Sequence, residues 1–121
     1  MDKIILTGLE FYGYHGLTPQ EQVLGQRFLV DAELGLELAE AGQKDATEYT
    51  VDYAAVAQVI KAVVEGPPCG LIEAVAEKSA AAILAQFPVQ EVMIRVKKPQ
   101  APLPLKFAHI AVEIRRRQEQ T

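Results

Sequence analysis

Residues 27–38, RFLVDAELGLEL, carry the feature that most restricts the fold: Phe28, Val30, Ala32, Leu34, Leu36 and Leu38 fall on one side, while Arg27, Asp31, Glu33 and Glu37 fall on the other. A period of two sustained this long fits a strand with one buried and one wet face, the usual state of an antiparallel sheet. Such a strand needs partners beside it and an apolar layer over its inner face. Residues 3–12 supply one partner, joined to it through the stretch FYGYHGLTPQEQ at 11–22. Two more strands are predicted near the C-terminus, VMIRVKK and FAHIAVEIR. The second sets Ala108, Ile110, Val112 and Ile114 against His109, Glu113 and Arg115.

The covering layer lies between these pairs. TVDYAAVAQVIKAVVEGPP places Val56, Val59, Ile60 and Val63 at helical spacing, with Thr50 or Asp52 as N-cap and Gly66-Pro67-Pro68 as a stop. GLIEAVAEKSAAAILAQF gathers Ile72, Val75, Ala76, Ser79, Ala80, Ile83 and Phe87 on one stripe and ends at Pro88. AEAGQKDATEYT reads as a connector that turns at Gly42. The order is strand-strand-helix-helix-strand-strand, a two-layer α+β domain spanning 1–121, with two helices on one face of a four-stranded antiparallel sheet. The long second and fourth strands carry no edge-blocking proline, which predicts exposed edges and pairing of copies into a ring.

At 121 residues, half of them hydrophobic, the chain suits one domain with a modest core that gains from further burial in an oligomer. The net charge is −4 and the basic run Arg115-Arg116-Arg117 stands alone, which argues against nucleic acid as a partner. No export signal or membrane span is read, and a cytoplasmic protein is expected. One cysteine, Cys69, and two distant histidines, His15 and His109, lack ligand-like spacing, so neither a metal nor another cofactor is expected.

Four side chains stand out. Lys98 continues the inward alternation of Val92, Ile94 and Val96, whereas Arg95 and Lys97 point away; it is either a lysine snorkelling to water or one held at a rim before the stiff segment PQAPLP. Glu73 sits in the first turn of the second helix, where the helix dipole favours a carboxylate, and Glu77 adds a second acid one turn later. Tyr53 shares a stripe with Val56 and Ile60, which fits a core ring. Glu21 reads as part of a polar turn. FYGYHG is either an aromatic-rich strand end or the wall of a binding site.

FYGYHG followed by Glu21 and Gly25-Gln26, TVDY ending in Tyr53, LIEAVAE with Glu73, and VKKPQAPLP with Lys98 together resemble the dihydroneopterin aldolases, over nearly the whole chain and in the family's order. The resemblance implies the tunnelling fold, stacked rings with sites between subunits, and metal-free retro-aldol cleavage of a pterin substrate. It implies Lys98 as proton shuttle, Tyr53 reaching in from a neighbouring subunit, Glu73 with the backbone of Ile72 as pterin anchor, and Glu21 near the hydroxylated side chain. FYGYHG becomes part of the shared pocket. The nearest rival is an epimerase acting at C2' of dihydroneopterin or its triphosphate, for which Lys97 and Lys106 are candidate phosphate partners. Zinc-dependent relatives of the fold, and a non-catalytic assembly in which Lys98 is replaceable, are the remaining alternatives.

Overall fold

The computed structural model describes residues 1–119. Four strands pair antiparallel in chain order: β1 (Asp2–Gly13), β2 (Gln26–Leu36), β3 (Glu91–Lys98) and β4 (Ile110–Arg117). Phe28, Val30, Ala32 and Leu34 of β2 are fully buried, as their alternation requires, and Val96, Ile94 and Val92 lie opposite the last three on β3. Four α-helices intervene: α1 (Pro19–Leu24), α2 (Ala39–Lys44), α3 (Tyr53–Val64) and α4 (Ile72–Gln86). The two long ones form the covering layer, α3 over β1 and α4 over β3 and β4, in contact with each other. Val56, Ile60 and Val64 of α3 and Val75, Ala76, Ala80 and Ile83 of α4 meet the sheet in one buried cluster. Each large aliphatic side chain buried there contributes about 1.5–3 kcal/mol before entropy is counted.

The opposite face of the sheet is laced with ion pairs. Asp31 is buried there, accepting from Arg95 Nη1 and Lys97 Nζ, each at 2.9 Å, and from the Gly8 N–H at 2.8 Å where the β1–β2 register shifts. Burial pushes its pKa up, but these donors outweigh it and hold the carboxyl below its ordinary value. Among the described residues, no helix is long and apolar enough to cross a membrane.

The structure corrects the sequence reading in four places. The sheet edges are β1 and β4, not β2, because β3 docks on the free side of β2 and makes it central; alternation reveals a strand's faces but not its place in the sheet. Gly42 lies inside α2, where Ala39, Glu40, Ala41 and Lys44 favour helix and Lys44 pairs with Glu40 at 2.8 Å; the chain turns at Asp45, with φ of 51°. The last strand starts at Ile110 rather than at Phe107, since the proline-broken loop continues through His109 and leaves Ala108 exposed. Finally, the polar turn at 19–24 is the helix α1.

Candidate active site

Lys98 is the last residue of β3, and its inward alternation carries it to the end of the core face. It does not snorkel. Its Nζ lies 2.5 Å from Oε2 of Glu21, and the two side chains are 14% and 8% exposed. An ammonium held this far inside by a carboxylate is a built feature, since ionised groups are seldom buried without a partner.

Glu21 reaches it because of local sequence. Thr18-Pro19-Gln20-Glu21 forms a capping box with proline in the first turn: Thr18 Oγ1 accepts from the Glu21 N–H at 3.2 Å, and Glu21 Oε1 accepts from the Thr18 N–H at 3.3 Å and its hydroxyl at 2.9 Å. Gln26, buried at the start of β2, donates to Oε2 at 2.9 Å. The preceding loop must leave room for the carboxyl. A Cβ at Gly16, whose φ is 147°, would lie only 2.4–2.6 Å from the carboxyl atoms of Glu21. Burial raises the pKa of Glu21, but Lys98, then Gln26 and Thr18, more than reverse this and hold it at about 2.

The folded pKa of Glu21 is therefore below the unfolded value, 4.5, so the stabilisation is complete above pH 4.5 and is lost as pH falls towards 2. The stability difference between wild type and Glu21→Gln, measured by urea unfolding, is expected to shrink between pH 5 and pH 3. A difference that stays constant over that interval would remove Lys98 and its companions as the cause.

Glu21 and Lys98 line a cleft of about 420 Å³. The start of α4 lines it too, with Leu71, Ile72 and Glu73, and Pro102 and Ile110 add apolar surface. Ile72 is buried to 8% exposure and Glu73 is exposed. No side-chain cap is made at Leu71; the Ala74 N–H donates to the Leu71 carbonyl at 3.1 Å, while the earlier amides of α4 have no intrahelical acceptor. Glu77 differs from Glu73: Arg116 Nε and Nη2 grip it, which compensates the repulsion expected between the two acids.

The structure thus brings Glu21, Ile72, Glu73 and Lys98 together and leaves Tyr53 out. Tyr53 opens α3 behind its cap Asp52, is 64% exposed rather than a core ring, and does not line the cleft. FYGYHG divides by function: Phe11 packs against the core, Tyr12 and Tyr14 stack edge-to-face in the open with Tyr12 Oη donating to the Leu24 carbonyl, and His15 is fully buried. Its continuation, Leu17 and Thr18, lines the cleft. Thr18 and Gln26 hold the Glu21 carboxylate; the sequence reading assigned neither a role, although Gln26 stood among the motif residues that carry the resemblance. Thr18-x-x-Glu21 was the available signal, being a capping-box pattern. Of the two cations considered for a phosphorylated substrate, Lys97 is bound to Asp31 on the far face and Lys106 is exposed in the 99–109 loop. Among the described residues, no cluster of three or more His, Cys, Asp or Glu side chains is arranged to hold a metal ion.

Residues 4–115 match the family model described as FolB, dihydroneopterin aldolase. The chain belongs to the dihydroneopterin aldolase family. It is 46% identical over 118 residues to the dihydroneopterin aldolase of Bacillus subtilis (strain 168), covering 97% of this chain and 98% of that one. The Streptomyces coelicolor dihydroneopterin aldolase is 43% identical over 114 residues, covering 94% and 96%. Among solved structures, Escherichia coli dihydroneopterin aldolase in complex with neopterin superimposes with a TM-score of 0.88 at 30% identity, covering 96% of this chain and 99% of that one. The family fold is therefore the four-stranded α+β sheet described above, and the resemblance read from scattered motifs holds along nearly the whole chain.

Proposed function

We propose that this chain, acting as a single cytoplasmic domain in folate biosynthesis, cleaves the C1'–C2' bond of 7,8-dihydroneopterin to give 6-hydroxymethyl-7,8-dihydropterin and glycolaldehyde. The observation that carries this reading is the convergence of Lys98, Glu21, Ile72 and Glu73 on one cleft. Its size and largely apolar lining suit a flat bicyclic ring with a few polar anchors.

The chemistry needs a path for the 2'-hydroxyl proton and a sink for the electron pair released when the bond breaks. The substrate's own C6=N5 imine, once protonated, accepts that pair and becomes an enamine, so the reaction requires neither a metal nor a lysine Schiff base. Protonation of the enamine at C1' then gives the hydroxymethyl product. Lys98 is the proton shuttle, directly or through a water. Glu21, with a pKa of about 2, is a poor base in the resting site; it aims and retains the ammonium and polarises the side-chain hydroxyls. Tyr53 of a neighbouring copy moves a proton at the side chain and assists reprotonation.

Glu73 holds the pterin's aminopyrimidinone edge, whose N2 and N3 hydrogens match the two oxygens of a carboxylate, and the Ile72 backbone adds contacts. Glu73→Gln should therefore weaken binding of 6-hydroxymethylpterin by about 1.5–3 kcal/mol, or roughly 10- to 150-fold, since the amide presents a donor to a donor. Fluorescence titration measures this directly, and unchanged affinity would take Glu73 out of the anchor role. Incubation with dihydroneopterin and with its triphosphate, with products separated by chromatography, tests the reaction. Glycolaldehyde release from the unphosphorylated substrate is expected. Inversion at C2' without cleavage would favour the epimerase.

A further inference from the structure

The start of α4 is the wall on which pterin recognition depends, yet it has no side-chain cap of its own. It is fixed from outside, two residues before Leu71. The Cys69 N–H donates to His15 Nδ1 at 2.9 Å, and the Cys69 carbonyl accepts from the Gly16 N–H at 2.9 Å. Because a backbone N–H can only donate, Nδ1 is the acceptor and Nε2 carries the proton. That proton goes to the carbonyl of Val64, the last residue of α3, at 2.6 Å. One fully buried, neutral imidazole thus ties the end of α3 to the entry of α4. Phe28 packs edge-on against the ring at 5.3 Å. Gly13 leaves the space it needs, since a Cβ there would lie 2.7 Å from the Val64 carbonyl and about 3 Å from the ring.

We infer that His15 is a positioning residue for substrate recognition: through its Nδ1 bond to the Cys69 amide it sets the approach of Ile72 and Glu73 to the pterin. The inference rests on the reading of that segment as the pterin anchor. The bond to Val64 secures the fold, and the bond to Cys69 secures the recognition wall. The same loop then serves two parts of the cleft, because residues 15 and 16 clamp Cys69 while Thr18 fixes Glu21, which in turn holds Lys98.

Two substitutions separate the bonds. An asparagine oxygen can occupy the place of Nδ1 and accept from Cys69, whereas a glutamine amide reaches the place of Nε2 and donates to Val64 but leaves the Cys69 N–H unpaired. Both lose part of a buried network and should lower the unfolding midpoint. Only His15→Gln should weaken 6-hydroxymethylpterin binding substantially, by about tenfold, the cost of leaving one part-buried amide unpaired; His15→Asn should stay within about threefold of wild type. Equal affinity losses in the two variants, or no loss in either, would overturn the inference.

Should His15→Gln fail to fold, amide exchange in the wild-type protein decides the matter. Saturation with 6-hydroxymethylpterin should slow exchange of the Cys69 N–H, because coupling between the wall and the clamp is reciprocal; unaltered exchange overturns the inference. Glu73→Gln, titrated alongside, keeps the two readings apart. Loss of affinity there with full affinity in His15→Gln rejects the clamp alone. The reverse result supports the clamp and moves the anchor to another group on the same segment.

Discussion

Lys98→Ala is expected to lower turnover by about 10²–10⁴-fold, the usual contribution of a positioned proton-transfer group, while changing the affinity for 6-hydroxymethylpterin by less than about threefold. The separation follows from the division of roles in the cleft, where Lys98 is ion-paired to Glu21 and the ring edge is assigned to Glu73. The substitution also strips a buried carboxylate of its cation, so unfolding must be followed in parallel to show that the loss belongs to the chemistry. Lys97→Ala is the matched control. It removes a cation paired with its own acid at 2.9 Å, but on the far face, where Asp31 keeps Arg95 and the Gly8 N–H. Its turnover should stay within about threefold of wild type, as expected for a group outside the reacting centre. If Lys97→Ala were the more damaging change, the proton shuttle would have to be sought on the ion-paired face of the sheet. A large loss of pterin affinity in Lys98→Ala would instead make the lysine a binding group.

The sheet was legible because its signal is periodic and local. One alternating run named the buried face of β2, and the same parity in β3 put Lys98 inside and Lys97 outside, as observed. Strand order was not legible, since a period of two says nothing about which edge a neighbour occupies. The partners of Lys98 were hidden for a different reason. Glu21 is 77 positions away in sequence, and it meets the lysine only after a short helix, a capping box and a glycine-floored loop have folded together. His15 lay within the FYGYHG motif, but its role was not legible there: it depends on backbone groups of Val64 and Cys69, which every sequence contains at every position. Tyr53 shows the limit of helical periodicity. Its stripe pointed to the core, but at the first position of α3 the stripe runs past the sheet, and the ring stands in solvent.

Mixing inactive Tyr53→Ala chains with inactive Lys98→Ala chains, under conditions that allow subunit exchange, is expected to restore activity. The expectation starts from geometry: four of the five candidate residues meet in one cleft, while Tyr53 lies outside it. Apolar side chains around the region, among them Leu17, Val23, Leu24 and Leu71, are also left exposed by a lone chain, as surfaces awaiting a partner are. We propose that copies assemble through the β1 and β4 edges into rings, most simply tetramers stacked as octamers, so that each cleft receives Tyr53 from the next chain. A site is then intact when the cleft comes from a Tyr53→Ala chain and the tyrosine from a Lys98→Ala chain. Random association at equal concentrations makes about one site in four intact, which sets the expected recovery near a quarter of wild-type activity. A mixture of Glu73→Gln and Lys98→Ala chains should recover nothing, because both defects fall on the same side of the interface and no chain supplies a whole cleft. Exchange itself is verified by mass spectrometry of mixed assemblies. If mixed assemblies form and the first pair stays inactive, or if light scattering shows a fully active monomer, Tyr53 must reach the cleft of its own chain and the shared pocket is ruled out.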